Sequence, residues 1–552
     1  MGPESLHVEW TSDRTLRASC AASLPEGLRA ALMDSNWGVH LGAIDVAFTL
    51  EAAQFTFPAL RVAQPEVRGR LMSEVGAHLG GAVAGAARVG CTVEIPVCYD
   101  PELGPDVAGV GERIGVAADD VADLHAMGEY TADFLGFSPG FAYLSGLPAA
   151  MHVPRRGSPR ARVEPGSVAI AGARCAVYPS ATPGGWNIIG RTPLRLFDAH
   201  REPACLIPPL ARVRFRRIDR GTFEAMLGLD VVERPPPRTG GNGLVIESAG
   251  ALSHVQDLGR SNLGVFGIPR GGPMDACGQR WANAAAGNGA SAATIEFIGA
   301  GLSFAAAKDC RIGLSPGVTT VVERKGTGVC EQTVSMVELC RGDRLSVRGV
   351  GSRCGYVSAR GGFDVPMVLG SRSTAMRAGF GGFGGRGLVK GDCVAILTDG
   401  ADGADGPGGG RIGAMKCLDG RQVIRMTTGF HAWLFGARLF NEGALARFVA
   451  TIFRVSASSD RAGLRLEGPA FSHGHAQLGS EPTTAGAVQL PPDGLPIILG
   501  PDGPVTGGYP VIGVVIEADL ARVGRLKPGE YVRFEVVSLD DAWELAREGC
   551  GG

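Results

Sequence analysis

The chain has 552 residues, of which 45% are hydrophobic and 20% charged, and its formal net charge is −2. That length exceeds a single core and predicts roughly three or four domain-sized units of packed structure. A near-neutral chain without a like-charged tail argues against a nucleic-acid partner, and no apolar run of about 18 residues offers a membrane span.

The start, Met1-Gly2-Pro3-Glu4-Ser5-Leu6-His7, lacks the basic and then apolar run of a secretion signal. The 13 cysteines are an odd count and include no C-x-x-C pair. Neither a disulfide framework nor a zinc site is therefore expected, and reduced thiols point to the cytoplasm. Glycine is abundant, with 85 residues and no collagen period, which predicts many tight turns between short strands.

In chain order, residues 1–90 read as a small α/β piece with a helical pattern over 66–79. Residues 91–233 read as a compact β unit with strands at 92–97 and 167–171. A Pro/Gly linker follows at 234–243, because the run Pro235-Pro236-Pro237 cannot join a sheet ladder. Residues 244–398 form the next unit, with a helix at 278–286 and a strand at 334–339. A Gly-rich loop at 399–410 leads to a last unit, 411–545, with strands at 511–516 and 531–537. The predicted class is α+β and β-rich.

Several short patterns fail on mechanism. Gly136-Phe137-Ser138-Pro139-Gly140 matches the G-x-S-x-G nucleophile elbow. The residue after that serine must donate its N–H to an oxyanion, and Pro139 has none. Ala414-Met415-Lys416 matches a biotin-bearing lysine triplet but follows a loop-like segment rather than a compact hairpin. No G-x-x-x-x-G-K-[ST] loop is present. His125 and His254 lack metal-ligand partners at helical spacing, and His473 with His475 reads as a surface pair.

Longer strings are far more specific. The first half carries His125, Tyr130, Gly136-Phe137-Ser138-Pro139-Gly140-Phe141-Ala142-Tyr143, Pro154-Arg155, Pro159-Arg160 and Ser167. It closes with Pro183-Gly184-Gly185-Trp186-Asn187-Ile188-Ile189-Gly190-Arg191. The second half carries Val255-Gln256-Asp257-Leu258-Gly259-Arg260, Gly271-Gly272-Pro273-Met274-Asp275, Asn283, Glu296 and Gly370-Ser371-Arg372-Ser373-Thr374. Ser459-Asp460-Arg461, Gln489-Leu490-Pro491-Pro492-Asp493-Gly494 and Thr506-Gly507-Gly508-Tyr509-Pro510 complete it.

The first set resembles the family called allophanate hydrolase subunit 1, or the B subunit of 5-oxoprolinase, which includes a sporulation-kinase inhibitor. The second resembles the matching subunit 2, or the C subunit of 5-oxoprolinase. The resemblance covers about 90–540 and implies cyclophilin-like β-barrel subdomains paired with smaller α/β subdomains. It implies ATP-dependent opening of the lactam 5-oxoproline, with ATP and Mg as cofactors and an A-type subunit as partner. An alternative is biotin-dependent carboxyl transfer to urea or a similar amide, with carboxybiotin and a biotin carboxylase and carrier. In urea carboxylase, however, the two halves occur in the reverse order. A third reading is a non-enzymatic regulator pair for a histidine kinase.

Asp257, Arg260, Asp275 and Glu296 are the candidate catalytic residues, as bases, orienting groups or anion clamps. The candidate substrate- or nucleotide-binding residues are His125, Tyr143, Arg155, Arg160, Ser167, Trp186, Arg191, Gln256, Asn283, Gln489, Gly507, Gly508 and Tyr509. Paired glycines let a ligand approach the backbone N–H groups. The competing view is that the glycines serve β turns and the Arg–Asp sets tie loops together. Three departures from the family pattern bear on activity: Leu314-Ser315-Pro316-Gly317-Val318, Ala462 after Arg461, and 499–505 before Thr506.

Overall fold

The computed structural model describes residues 6–20, 23–33, 41–83, 91–229, 241–299, 301–324, 328–349, 351–397, 417–418, 421–429, 443–471 and 478–550. Most of the 234–243 linker, the whole 399–410 loop, Ala414-Met415-Lys416, His473 and His475 lie outside the described residues.

The first unit is one antiparallel sheet in the order His7–Trp10, Thr15–Ser19, Ala52–Thr56, Asp45–Phe48. Leu16, Ala18 and Phe55 join the core that helices Glu26–Leu32 and Pro65–Val83 close with Leu28, Leu71 and Val75. Strand alternation sends Arg17 to the opposite face, where it is still buried and meets Glu481 at 2.6 Å. Both faces of this sheet are therefore covered, one by its own helices and one by the end of the chain.

The second unit is a seven-stranded sheet. Its order is Asn187–Arg191, Ser167–Ala171, Arg174–Val177, Ala142–Ser145, Tyr130–Leu135, Arg212–Arg217, Thr92–Val97. The final pair is parallel and the others are antiparallel. Reciprocal N–H···O bonds of 2.9 Å between Cys98 and Arg191 bring the outer strands together, so the barrel is nearly closed. Ile95, Leu144, Val168, Ile170, Val177 and Val213 fill its interior.

The third unit is a sandwich of a six-stranded and a five-stranded sheet. Leu244, Phe304 and Val347 from one meet Val255, Ile295, Phe297 and Val357 from the other in a single core. Helix Ala276–Ala286 is capped by Asp275, whose side chain accepts from Gly278 N, and ends at left-handed Gly287. It lies directly on strand Cys310–Leu314, because a Cβ on Gly313 would sit 2.1 Å from Ala282 O.

The fourth unit is a closed barrel. The ring runs Arg421–Thr428, Val511–Val515, Ala487–Gln489, Ile497–Leu499, Gly463–Glu467, Ile452–Val455, Tyr531–Val536 and returns to Arg421–Thr428 through a parallel pair. Both barrels thus contain one parallel pair, formed by the first and last of the ring strands in chain order. Each also carries a short two-stranded ribbon, Arg160–Val163 with Thr182–Gly184 in one and Glu481–Pro482 with Thr506–Gly507 in the other.

The chain is therefore β-rich α+β. Strands 92–97 and 167–171 sit where the sequence places them, and those at 511 and 531 end one residue earlier than expected. The strand expected at 334–339 starts at Met336, and the helix expected at 66–79 runs Pro65–Val83. No described helix is long and apolar enough to cross a membrane.

Two contacts fix how the halves meet. Arg14, 3% exposed, donates to Ala485 O at 2.6 Å, Val515 O at 3.0 Å and Asp13 Oδ1 at 3.0 Å. Asp13 in turn accepts from Glu517 N at 2.7 Å, and its carbonyl accepts from Trp543 Nε1 at 3.0 Å. Between the barrels, Phe137 N donates to Thr506 Oγ1 at 3.1 Å. A Cβ on Gly136 would lie 1.9 Å from that oxygen, so only glycine permits the approach.

Gly136→Ala is expected to destabilise the protein by about 1–3 kcal/mol through overpacking. Thr506→Gly should recover much of that loss in a double-mutant cycle, and additive effects of the two changes would remove the contact. Burial raises the Asp13 pKa to about 6, against Arg14 and the Glu517 N–H, which pull it down. The folded state then holds this proton more tightly than the unfolded chain. Its contribution is full below about pH 4 and is lost as pH rises through about 6. Thermal melts from pH 4 to 7 should show that fall in wild type and a flatter profile in Asp13→Asn.

Candidate functional site

Glu296 is fully buried on strand Thr294–Ile298 and accepts from three directions. Arg461 Nη1 reaches Oε1 at 2.5 Å, while Tyr356 OH and Met274 N reach Oε2 at 2.6 and 2.8 Å. His254 Nε2 lies 3.2 Å from Oε1 but is poorly aligned for a hydrogen bond. Burial alone would raise the carboxyl pKa, yet Arg461 and its neighbours overcome it and hold it well below the usual range. Arg461 also grips Asp502 in bidentate fashion, at 2.8 and 2.9 Å, and Gly272 O at 2.6 Å. Asp275 pairs with Arg525 at 2.7 and 3.1 Å while capping its helix. Glu296 and Asp275 are thus the third unit's anchors on the last barrel.

Asp257 is a hub of a different kind. Its carboxylate accepts from Gly259 N at 2.9 Å, Ser371 Oγ at 2.5 Å, Ser373 Oγ at 2.6 Å and Arg372 N at 2.6 Å. Three of these bonds crowd Oδ1 and one reaches Oδ2, so most of the carboxylate's accepting capacity is spent on the protein itself. Asp257 therefore holds the 371–373 turn, the loop-tying role.

Arg260 is the opposite case. It is 1% exposed, its Nη2 donates to Ser373 O, and its guanidinium lies 4.5 Å from the Phe380 ring centroid. Its Nε and Nη1 have no hydrogen-bond partner among the described residues. Burial lowers its pKa to about 10, so it remains a cation at neutral pH. Gln256 and Asn283, also fully buried, serve the scaffold. Gln256 Nε2 donates to Thr374 O at 3.1 Å, and Asn283 Nδ2 holds Ala292 O at 2.9 Å beyond the helix end.

In the first barrel the candidates separate. His125 is fully buried in the core, 2.7 Å from Tyr99 OH and 3.2 Å from Cys175 Sγ. Burial pushes its pKa down to about 3, so it packs there as a neutral ring. Arg160 is committed to Asp106 through two 2.8 Å bonds, and Arg156 joins at 2.6 Å. Ser167 is a buried strand residue beside Arg191, whose Nε donates to Pro165 O at 2.8 Å. Tyr143 and Trp186 form an aromatic cluster with Phe141, their ring centroids 4.9 to 6.1 Å apart. Arg155 covers the Trp186 ring at 5.9 Å and forms no ion pair among the described residues.

Burial raises the Tyr143 pKa, and Ser480 of the last barrel pulls it down from across the seam. On the far side, Gln489 is 3% exposed and its Nε2 has no partner among the described residues. The same nitrogen would lie 2.7 Å from a Cβ on Gly507, so this glycine keeps the loop close to the amide. Gly508 and Tyr509 continue that loop into solvent. Ser138 Oγ, also buried and without a partner, belongs to the turn that meets Thr506. Ser138 lies between strands Tyr130–Leu135 and Ala142–Ser145, so the strand-to-helix turn of a nucleophile elbow is absent there.

Sequence reasoning left Arg461, Asp502, Asp106 and Arg525 out of the candidate set. Arg461 stands in one of the specific strings, so the signal was present for it. Asp106 and Arg525 stand in none.

Known proteins share this architecture. Residues 2–207 match the family model "Carboxyltransferase domain, subdomain C and D", and 266–536 match "Carboxyltransferase domain, subdomain A and B". The chain is 44% identical over 133 residues to the 5-oxoprolinase B subunit of Bacillus subtilis, covering 24% of this chain and 55% of that one. It thus spans about half the length of that relative. It is 31% identical over 318 residues to the 5-oxoprolinase C subunit of Escherichia coli, covering 55% of this chain and 94% of that one. It is 32% identical over 321 residues to urea amidolyase of Lachancea kluyveri, covering 54% of this chain but 17% of that one. Among solved structures, TTHA0988 superposes with a TM-score of 0.77 at 29% identity, over 95% of this chain and 99% of that one. The chain belongs to the carboxyltransferase-domain family that includes urea amidolyase and the B and C subunits of 5-oxoprolinase, with the two halves fused in B–C order.

Proposed function

We propose that the chain is the B–C component of a multi-subunit, ATP-dependent 5-oxoprolinase, a hydrolase that opens a lactam to glutamate. The order of the halves carries this reading. The C and D subdomains precede the A and B subdomains here, the reverse of the order expected for urea carboxylase. The near-full coverage of the 5-oxoprolinase C subunit, against 17% of a urea amidolyase, supports it.

The chemistry is consistent with the seam. A lactam is resonance-stabilised, and transfer of a phosphoryl group to its oxygen turns that oxygen into part of a leaving group. Cations and backbone N–H groups would then stabilise the developing charge. The chain has no Walker-type phosphate loop, so the nucleotide and its Mg are assigned to a site completed by an A-type partner. The competing reading is carboxyl transfer from carboxybiotin.

The purified chain is expected to be inactive, or nearly so, on 5-oxoproline and to gain hydrolysis when mixed with an A-type partner and ATP. Glutamate and ADP release would be assayed with and without the partner. Turnover supported only by bicarbonate with a biotin carboxylase and carrier would replace lactam hydrolysis with carboxyl transfer.

Within this reading, Asp257→Asn tests the hub. Losing one filled acceptor should cost about 1–3 kcal/mol of stability, with turnover per folded molecule near wild type. A drop of about 10²-fold at an unchanged melting temperature would make Asp257 a base instead.

A further inference from the structure

A buried guanidinium with unfilled donors is costly to keep, and each such group calls for a reason. Arg260 keeps Nε and Nη1 unfilled at 1% exposure. The direction of one of them is fixed by Gly271. A Cβ on that residue would lie 3.3 Å from Arg260 Nη1, 3.8 Å from Asp502 Oδ1 and 3.9 Å from Ser373 Cβ. Gly271 thus forms the floor of a cradle with a cation on one wall and a carboxylate on another.

The cradle is rigidly built. Gly271 has a φ of +68°, and its N–H donates to Pro501 O at 3.0 Å, which ties the floor to the segment bearing Asp502. Arg260 N donates to Arg270 O at 2.7 Å, which closes the intervening loop on itself. The Phe380 ring covers the guanidinium, and Asp257 fixes Ser373, whose carbonyl receives Nη2. Asp502 is held by both arms of Arg461, yet Oδ1 carries a single bond from it and retains a lone pair. Gly271 and Asp502 are both partly exposed, while Arg260 Nη1 behind them is closed to solvent. Arg260 and Asp502 form no ion pair with each other, although each feels the other's charge.

We propose that Arg260 and Asp502 clamp a cis-amide over Gly271, with the carbonyl accepting from Arg260 and the N–H donating to Asp502 Oδ1. A lactam presents those two groups on one edge of its ring, whereas a carboxylate offers only acceptors and would be repelled by Asp502. This inference rests on the lactam reading above and adds Asp502 to the residues that contact substrate. Arg461 is then a positioning residue, acting through Asp502.

The test uses the intact chain without any partner and ligand-observed saturation-transfer NMR. The probes are 2-pyrrolidinone and γ-butyrolactone, rings of the same shape in which the lactone oxygen replaces the N–H. The lactam is expected to bind about tenfold more tightly or better, the worth of one charge-assisted hydrogen bond. Arg260→Lys should weaken the lactam by a similar factor at a near-normal melting temperature, because lysine lacks the fork. 5-Oxoproline should displace the lactam, and proline, which has a carboxylate but no lactam, should not. Equal binding of the two rings, binding of neither, displacement by proline, or an unaffected Arg260→Lys variant would each overturn the clamp. Failure of ATP-dependent hydrolysis alone would instead count against the enzyme assignment, since the binding measurement needs neither ATP nor partner.

Discussion

A carboxylate with no solvent contact must be ionised and paired or protonated, and Glu296 is ionised and paired. Desolvation opposes its charge, and the Arg461 guanidinium with the Tyr356 and Met274 donors reverses that penalty. The arrangement is stable only while all members are present, because removing one leaves an uncompensated buried charge. Its consequence is positional. Arg461 comes from the last barrel, Glu296 from the sandwich, and both Gly272 O and Asp502 hang from the same guanidinium. That cation, together with the Gly271 N–H on Pro501 O, sets the relative placement of the 271–274 loop and the 500–503 turn. Any ligand held between them inherits its geometry from the Arg461–Glu296 pair behind Asp502.

The two barrels are joined by a different device. Their seam is narrow at Gly136, where Thr506 replaces the space of a side chain, and Phe137 takes a left-handed φ of 64° to deliver its N–H. Such backbone costs energy and is retained where the surroundings over-determine it. Here the surroundings are two halves that the family also supplies as separate polypeptides, so the fused chain keeps an interface inside one molecule. The first unit reinforces it by burying Arg14 and Arg17 against the last barrel.

Much of the fold is legible in the sequence because strands and helices are written locally. The alternation in 167–171 and the cap at Asp275 need no distant information. The barrel repeat is also written there, though faintly: Gly184-Gly185-Trp186 is followed by Ile188-Ile189-Gly190, and Gly507-Gly508-Tyr509 by Val511-Ile512-Gly513 at the same spacing. The strings gather the right neighbourhoods without showing what each side chain does there. Nothing local says that Asp257 is engaged by four donors while Arg260 keeps two unfilled, since Ser371, Ser373 and Phe380 decide it from more than a hundred residues away. His125 shows the same limit, as a polar residue that the tertiary core claims for itself. Among the departures, Leu314 is fully buried in the sandwich, and Ser315 Oγ is used by Tyr356 N at 3.0 Å, so that segment serves packing.

Bonding capacity therefore separates scaffold from site better than residue type does. Asp257, Asp275 and Glu296 are charged, buried and embedded in specific strings, yet their acceptors are engaged by the protein itself. Arg160 is spent on Asp106 in the same way. Arg260 and Gln489 keep buried donors unused among the described residues, at positions where a Cβ on Gly271 or Gly507 would lie within 4 Å of them. Other buried donors are also unfilled among the described residues, Trp10 Nε1, Arg270 Nε and Arg353 Nη1 among them, so the neighbouring glycine is what sets Arg260 and Gln489 apart. The paired carboxylates hold loops and barrels together, whereas Arg260 and Gln489 keep donors that no described residue fills. That division follows from counting lone pairs and protons around each group.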